Sequence, residues 1–375
     1  MITFEIKAKQ GKARAGTITL ANSHGTKTLQ TPVFMPVATQ GTVKALPTRD
    51  METIGVQGLL SNAYHLYLRP GTDVIAKVGG LHRFMDFKGV IITDSGGYQI
   101  FSLSKLRKIK KDGVQFQSPI DGSTHFLTPE SIIDIQKKLA SDIFIPLDEC
   151  VHWPCTPAEA ESALATTFRW LKSTFHHKES SSHLREDTIF PIVQGSTFKD
   201  LRKTAAEQVL SFRPEGIAIG GVSVGEPREV REEVVGYTTS FLPDHLPRYL
   251  MGVGKPEDLL YAVEQGVDIF DCVMPTRCGR TGTAFTDQGK LLIRNACYTA
   301  DERPLDENCQ CYTCRHFSRA YLRHLDNAGE MTGGYLVSYH NVHWYIHFMN
   351  KIRKSILEGT FNSFKQEFIS NYIKL

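Results

Sequence analysis

Three aspartates carry the first sign of chemistry. Asp94, Asp148 and Asp271 each close a short, mostly apolar run: Val90-Ile91-Ile92-Thr93-Asp94, Ile143-Phe144-Ile145-Pro146-Leu147-Asp148 and Val267-Asp268-Ile269-Phe270-Asp271. A carboxylate at the end of a buried strand is costly to desolvate, which argues for chemistry over stability. Two further runs end in other polar or exposed-backbone groups: Ile189-Phe190-Pro191-Ile192-Val193-Gln194, and Gly216-Ile217-Ala218-Ile219 before Gly220-Gly221. A carboxylate beside an amide, such as Asp148 with Gln194, suits the donor and acceptor edge of a planar heterocycle. Two other carboxylates, Asp94 and Asp271, suit glycosidic chemistry, one as nucleophile and one as acid/base. A lone strand-end Asp is often a helix N-cap. Three on one rim, with Gln194 and the Gly pair between them, weaken that explanation for the set. Asp94 is followed by Ser95-Gly96-Gly97-Tyr98-Gln99, where glycines admit close backbone approach and Tyr98 offers a flat ring.

A second constellation lies further on. Cys309-Gln310-Cys311-Tyr312-Thr313-Cys314 puts three thiols within six residues. Soft thiolates select zinc, which takes four tetrahedral ligands. His316, His324, His340, His343 and His347 are candidates for the fourth, with His316 too close to Cys314 for a comfortable chelate. A Cys3His site of this kind is closed and structural.

These residues need a frame. Unbroken apolar runs read as strands buried on both faces, as in a parallel sheet. With Pro32, Gly58 and Tyr249 opening three more runs, eight such strands end near residues 38, 62, 94, 148, 194, 221, 253 and 273. Amphipathic stretches alternate with them. Thr128-Pro129 and Thr156-Pro157 are helix starts, and Glu159 completes a capping box with Thr156. Lys255-Pro256 opens another helix. Eight alternations, with no Gly-x-Gly-x-x-Gly turn after the first strand, predict an α/β fold of the closed (β/α)8 TIM-barrel kind. Residues 1–30 read as an N-terminal antiparallel sheet, with turns at Gln10-Gly11 and Ser23-His24-Gly25, plating the bottom of the barrel. Residues 105–123 extend the third βα loop around an Asp121-Gly122 turn. The predicted division is one domain over 1–375: the sheet at 1–30, barrel strands over 31–274, an arginine loop and zinc subdomain inserted after strand 8 over 275–345, and C-terminal helices over 346–375.

Bulk properties bound the rest. The chain has 375 residues and a net charge of +3, so composition alone does not mark a nucleic-acid binder. Met1-Ile2-Thr3-Phe4-Glu5-Ile6-Lys7 lacks the apolar core of a signal peptide. No apolar stretch reaches the ~18–20 residues that span a bilayer, so a cytoplasmic protein without membrane contact is expected. Its eight cysteines then read as thiols or metal ligands. Arg315, Arg319 and Arg323 recur every four residues, which predicts one basic helical stripe, and Lys105, Arg107, Lys108, Lys110 and Lys111 form another basic patch. Only three tryptophans argue against a carbohydrate-active barrel, and the absence of His at strand ends argues against a metal-dependent hydrolase.

Residues 94–99 (DSGGYQ), Asp148-Glu149-Cys150, Val193-Gln194-Gly195, 219–227 (IGGVSVGEP), Met251-Gly252-Val253-Gly254, 270–280 (FDCVMPTRCGR) and 309–314 together resemble the bacterial tRNA-guanine transglycosylases, in order and spacing over essentially the whole chain. The resemblance implies a (β/α)8 barrel with a zinc subdomain after the eighth strand. It implies exchange of guanine at the anticodon wobble position of GUN-anticodon tRNAs for a 7-deazaguanine, in queuosine modification. Asp271 would be the nucleophile on C1′ of the ribose and Asp94 the general acid/base. Asp148, Gln194 and the Gly221 amide would read the base, with Tyr98 and Met251 sandwiching its ring. Cys309, Cys311, Cys314 and His340 would bind one structural zinc per subunit. Arg277, Arg280 and Lys255 would contact RNA, and the enzyme would be a homodimer. Cys150 and Val224 match the pattern for 7-aminomethyl-7-deazaguanine (preQ1), whereas Val222-Ser223 replaces the common Leu-Ala pair and points to tolerance of bulk, as queuine would need. An archaeal-type relative would be expected to carry a further RNA-binding domain after residue 375. A catalytically silent partner subunit is the alternative, and retention of Asp94 and Asp271 argues against it.

Overall fold

The computed structural model describes residues 2–22, 25–103 and 107–372. Strands β1 (Ile2–Gln10), β2 (Ala13–Asn22) and β3 (Gly25–Thr31) form an antiparallel sheet in that order. The first expected turn is there, with Gly11 at φ +62° where a side chain would strain the backbone. The second begins at Ser23 and His24, outside the described residues.

The barrel follows. Its first strands are β4 (Val33–Ala38), β5 (Gly58–Asn62) and β6 (Val90–Asp94). A small antiparallel sheet interrupts, made of β7 (Lys108–Lys110), β8 (Gly113–Gln117) and β9 (Thr124–Leu127). Then come β10 (Ile143–Phe144), β11 (Thr188–Ile189), β12 (Ile192–Val193), β13 (Ile217–Ile219), β14 (Arg248–Leu250) and β15 (Ile269–Cys272). The sheet order is β11-β10-β6-β5-β4-β15-β14-β13-β12, all parallel. The two strands at its ends, β11 and β12, are two halves of one stretch of chain. Phe190 N–H donates to the Phe144 carbonyl (3.0 Å) and Ala218 N–H to the Pro191 carbonyl (2.9 Å), which carries the ladder across the break. Eight staves therefore close a cylinder, as the alternation predicted.

Two staves are shorter than their apolar runs. The fourth is paired as a strand only over Ile143–Phe144, and the fifth is split at Pro191. Proline has no N–H to give the ladder, and Pro146 and Pro191 fall where the pairing stops. The chain nevertheless stays extended enough to deliver Asp148 and Gln194 to the rim.

The barrel interior is packed by Met35, Ile92, Ile145, Ile192, Ala218 and Ile269, continuous with Ile18, Leu20 and Leu29 of the N-terminal sheet. That sheet covers the N-terminal ends of the staves. Arg14, fully buried, donates from Nε and Nη2 to Asp268 (2.9 and 2.6 Å), just before β15. Lys27 and Asn22 reach Asp142, just before β10 (2.7 and 2.8 Å). The strand C-termini, with all the terminators, open at the opposite face.

Helices wrap the outside. Pro129–Leu139 and Pro157–Ser180 start with capping boxes, Thr128 with Ser131 and Thr156 with Glu159. After β15 the expected arginine loop is instead a helix, Met274–Arg280. Pro275 sits in its first turn, where a missing N–H costs nothing. Gly279 lets it lie against the helix Met331–Leu357: a Cβ there would come 2.5 Å from Ser338 Oγ. The expected basic stripe is also not one helix. Tyr312–His316 and Arg319–Ala328 are separate, because the Ser318 side chain caps the second by accepting from Tyr321 N–H (3.2 Å). Arg319 pairs with Asp301 (3.1 Å) and Arg323 donates to the Asn295 carbonyl (3.1 Å), so both are engaged within the subdomain. Among the described residues, no helix is long and apolar enough to cross a membrane.

Candidate active site

A cleft of about 490 Å³ opens at the C-terminal mouth of the barrel. Its walls include Asp94, Tyr98, Asp148, Cys150, Gln194, Gly221, Val222, Val224, Met251, Asp271 and Arg277. The strands bring these residues together from six staves. Lys255 and Arg280 are exposed and do not line it: Lys255 caps the helix Pro256–Glu264, and Arg280 ends the helix Met274–Arg280. Lys105 of the basic patch lies outside the described residues, while Lys108, Lys110 and Lys111 are exposed on the β7–β9 sheet.

Asp271 lies on β15 and is buried. Its Oδ1 accepts from Tyr249 Oη–H (2.6 Å) and from Gly252 N–H (2.9 Å), and among the described residues no hydrogen-bond donor reaches Oδ2. Burial pushes its pKa up, and the two donors pull it back. Asp94 ends β6. Asn62 Nδ2 donates to its Oδ2 (2.6 Å) and Ala63 N–H to its Oδ1 (3.2 Å). Burial first, then the neighbouring negative charge of Asp271, raise its pKa to about 7. A pKa matched to the working pH is what a proton-transferring group needs. Burial therefore raises both carboxyls in this cleft, and the charge of Asp271 acts on Asp94 as a second cause.

Asp148 is the third buried carboxyl. Gln194 Nε2 donates to its Oδ2 (2.6 Å), and burial raises its pKa to about 6 against that donor. The helix Gly97–Leu103 can approach it only because Gly97 has no side chain: a Cβ would lie 2.7 Å from Asp148 Oδ1. The Gly220-Gly221 pair is required for the same reason. Cβ atoms there would meet Gln194 Nε2 at 3.0 Å and Oε1 at 2.3 Å. The loop that follows is held by Glu226, which accepts from Ser223 N–H (2.5 Å) and Val224 N–H (2.9 Å). Ser223 itself sits at φ +63°.

Cys309, Cys311, Cys314 and His340 converge with all donor atoms within 4.8 Å of one another. His340 Nε2–H donates to the Phe285 carbonyl (2.7 Å), which leaves Nδ1 facing the three sulfurs at 3.2–3.7 Å. A backbone carbonyl fixing the ring in this way is the usual outer support of a ligating histidine. The soft Cys3His donor set could hold a metal ion. His343 is 3.6 Å from Cys309 Sγ but stands outside that group.

Sequence reasoning did not single out Asn62, Tyr249, Gly252, Glu226 or Arg202. Asn62 is the polar terminator of β5, so the rule that selected Asp94 would have found it. Tyr249 opens an apolar run, where its ring reads as core, and Arg202 lies in an ordinary amphipathic helix.

The fold and site together define a barrel enzyme with three buried carboxyls in a cleft at its mouth, plus a thiol-rich subdomain after the last stave. Comparison with known proteins agrees. The family model described as queuine tRNA-ribosyltransferase matches residues 9–374. Proteins named queuine tRNA-ribosyltransferase include one from Caldanaerobacter subterraneus subsp. tengcongensis, 48% identical over 371 residues, covering 99% of this chain and 98% of its own. Another from Aquifex aeolicus is 49% identical over 380 residues, covering 98% of each, and one from Dictyoglomus turgidum is 48% identical over 371 residues, covering 99% and 95%. The chain belongs to the queuine tRNA-ribosyltransferase family.

Proposed function

We propose that this enzyme is a pentosyltransferase that replaces guanine at the wobble position of GUN-anticodon tRNAs with a 7-deazaguanine, through a ribosyl group held on Asp271. The observation that carries the reading is the pair of buried carboxyls, Asp94 and Asp271, in one cleft beside the Asp148–Gln194 pair. The target nucleotide must leave its stack to reach a barrel mouth. Asp271 Oδ2 attacks C1′ as the C1′–N9 bond breaks, and Asp94 gives its proton to the departing guanine. Asp94 then takes the proton from N9 of the incoming base. That nitrogen attacks C1′, and the Asp271 carboxylate leaves. Two displacements keep the sugar on the enzyme, so exchange proceeds without hydrolysis.

Asp148, Gln194 and the Gly221 N–H read the base edge, with Tyr98 and Met251 on its faces and Cys150, Val222 and Val224 around its 7-substituent. Arg277, at the cleft, and Arg280 and Lys255, beyond it, meet the RNA backbone. Cys309, Cys311, Cys314 and His340 hold one zinc ion, which supplies a cross-link to the subdomain and takes no part in the chemistry. Action on tRNA fits a cytoplasmic enzyme. The exposed rings of Tyr312 and Tyr321, with Phe317 stacked on Tyr321 at 5.4 Å, offer apolar surface for a homodimer, which sedimentation at graded concentration tests. Val222 in place of leucine leaves room at the 7-substituent, which favours acceptance of queuine as well as preQ1.

The decisive assay loads tRNA with labelled guanine and chases with preQ1 or queuine. Displacement confined to GUN-anticodon tRNAs supports the reading. No displacement by either base overturns it, and a strong preference for preQ1 overturns the tolerance assigned to Val222.

A further inference from the structure

Arg202 lies on the helix Lys199–Leu210, which follows β12, and is wholly buried. Its guanidinium makes four hydrogen bonds, every one to a backbone carbonyl. Nε donates to Ser196 (2.7 Å), Nη1 to Val193 (3.1 Å) and Gly220 (2.7 Å), and Nη2 to Gly221 (2.9 Å). Among the described residues no carboxylate lies within ion-pair distance of it. A buried arginine ordinarily pairs with an acid. This one is committed to the tips of the fifth and sixth staves, the two walls of the base-reading end of the cleft.

Peptide geometry gives that placement a consequence. The Gly220–Gly221 bond is trans, so its N–H points opposite to its C=O. With the Gly220 carbonyl drawn onto Arg202, the Gly221 N–H faces away from it, on the side of the Cys150 thiol, which lines the cleft. A cation on the carbonyl also polarises the peptide and strengthens the N–H as a donor. The bonds to Val193 and Ser196 brace the backbone on either side of Gln194, whose side chain holds Asp148. Glycine at 221 is what lets the guanidinium come so near: a Cβ would lie 3.2 Å from Nη2.

We propose that Arg202 is a positioning residue for base exchange, aiming and polarising the Gly221 N–H at the 6-oxo oxygen of the purine-like base. When the C1′–N9 bond breaks, its electron pair passes to the base and is shared with that oxygen. The polarised N–H stabilises this charge until Asp94 delivers the proton. The proposal rests on the reading that Gly221 meets the base.

Guanine and 6-thioguanine test it. They share the N1–H and 2-amino groups and differ in the acceptor at position 6. Wild type should bind guanine about tenfold more tightly than the thio base, the effect of one good hydrogen bond. In Arg202→Lys and Arg202→Gln, that ratio should fall to about twofold, with KM for guanine raised and KM for tRNA within about twofold of wild type. Cooperative unfolding checks that the variants are folded, and the lysine variant keeps the charge if glutamine does not fold. A purely structural role would lower the active fraction and leave both KM values and the ratio unchanged, which would overturn the proposal. If wild type itself does not discriminate, Gly221 does not serve the base, and the underlying reading fails separately.

Discussion

Replacing Asp94 by asparagine should make the protein more resistant to unfolding at alkaline pH while slowing its chemistry. Asp94 is held at a pKa of about 7, against 3.8 for a free aspartate, chiefly by burial and then by the charge of Asp271. The sign follows from linkage. In the unfolded chain the carboxyl ionises above 3.8, whereas the folded protein resists ionisation up to about 7. The contribution to stability is full below 3.8 and is lost as pH rises through about 7. At pH 8 the ionised group costs the folded state about 4 kcal/mol, and at pH 4.5 only about 1 kcal/mol. Asparagine does not titrate. It does turn an N–H2 toward Asn62 Nδ2 or the Ala63 N–H, a mismatch of about 1–3 kcal/mol at every pH. The variant's unfolding free energy, less that of wild type, should therefore rise by about 3 kcal/mol between pH 4.5 and pH 8. Urea unfolding of both proteins at the two pH values measures it. A difference that does not change with pH would show that Asp94 ionises like a solvated carboxyl, and the proton-carrier role would fall with it. The same variant should still bind tRNA and exchange base about 10²–10⁴-fold more slowly.

Further outcomes follow from the same geometry. The kcat/KM for guanine should fall below pH about 6, as Asp148 takes up a proton and stops accepting from the base, and kcat/KM for tRNA should fall above pH about 7, as Asp94 loses the proton it must give. A pH profile flat from 5 to 8 contradicts both. Gly97→Ala puts a methyl 2.7 Å from Asp148 Oδ1, and should raise KM for the base about tenfold with KM for tRNA unchanged. Cys311→Ser should remove bound metal, read by elemental analysis. It should also lower the midpoint of urea unfolding, because the ligand is buried at the joint between the helix Tyr312–His316 and the helix Met331–Leu357.

The barrel was legible because its staves are apolar on both faces, so each run announced a strand and its terminator announced the rim. Asp94, Asp148, Gln194 and Asp271 were visible for that reason. The two prolines that shorten the fourth and fifth staves were in plain view, but an apolar run does not say where its ladder ends. The helix Met274–Arg280 resembles a loop in sequence because its two arginines and single glycine carry no helical pattern. Packing on Ser338, 59 residues away in sequence, decides it. The supposed arginine stripe failed because spacing by four does not reveal a helix boundary set by one serine. Arg202 and Tyr249 hydrogen-bond to partners up to 19 and 22 residues away, and no local pattern marks such contacts.

The proposed mechanism turns on one covalent bond, between Asp271 and the ribose. Enzyme mixed with tRNA, quenched in denaturant, digested and weighed by mass spectrometry should yield a ribonucleotide attached to the peptide containing Asp271. The adduct should vanish in Asp271→Asn and disappear from wild type on adding excess incoming base. An adduct on any other residue, or one that persists in Asp271→Asn, would contradict it.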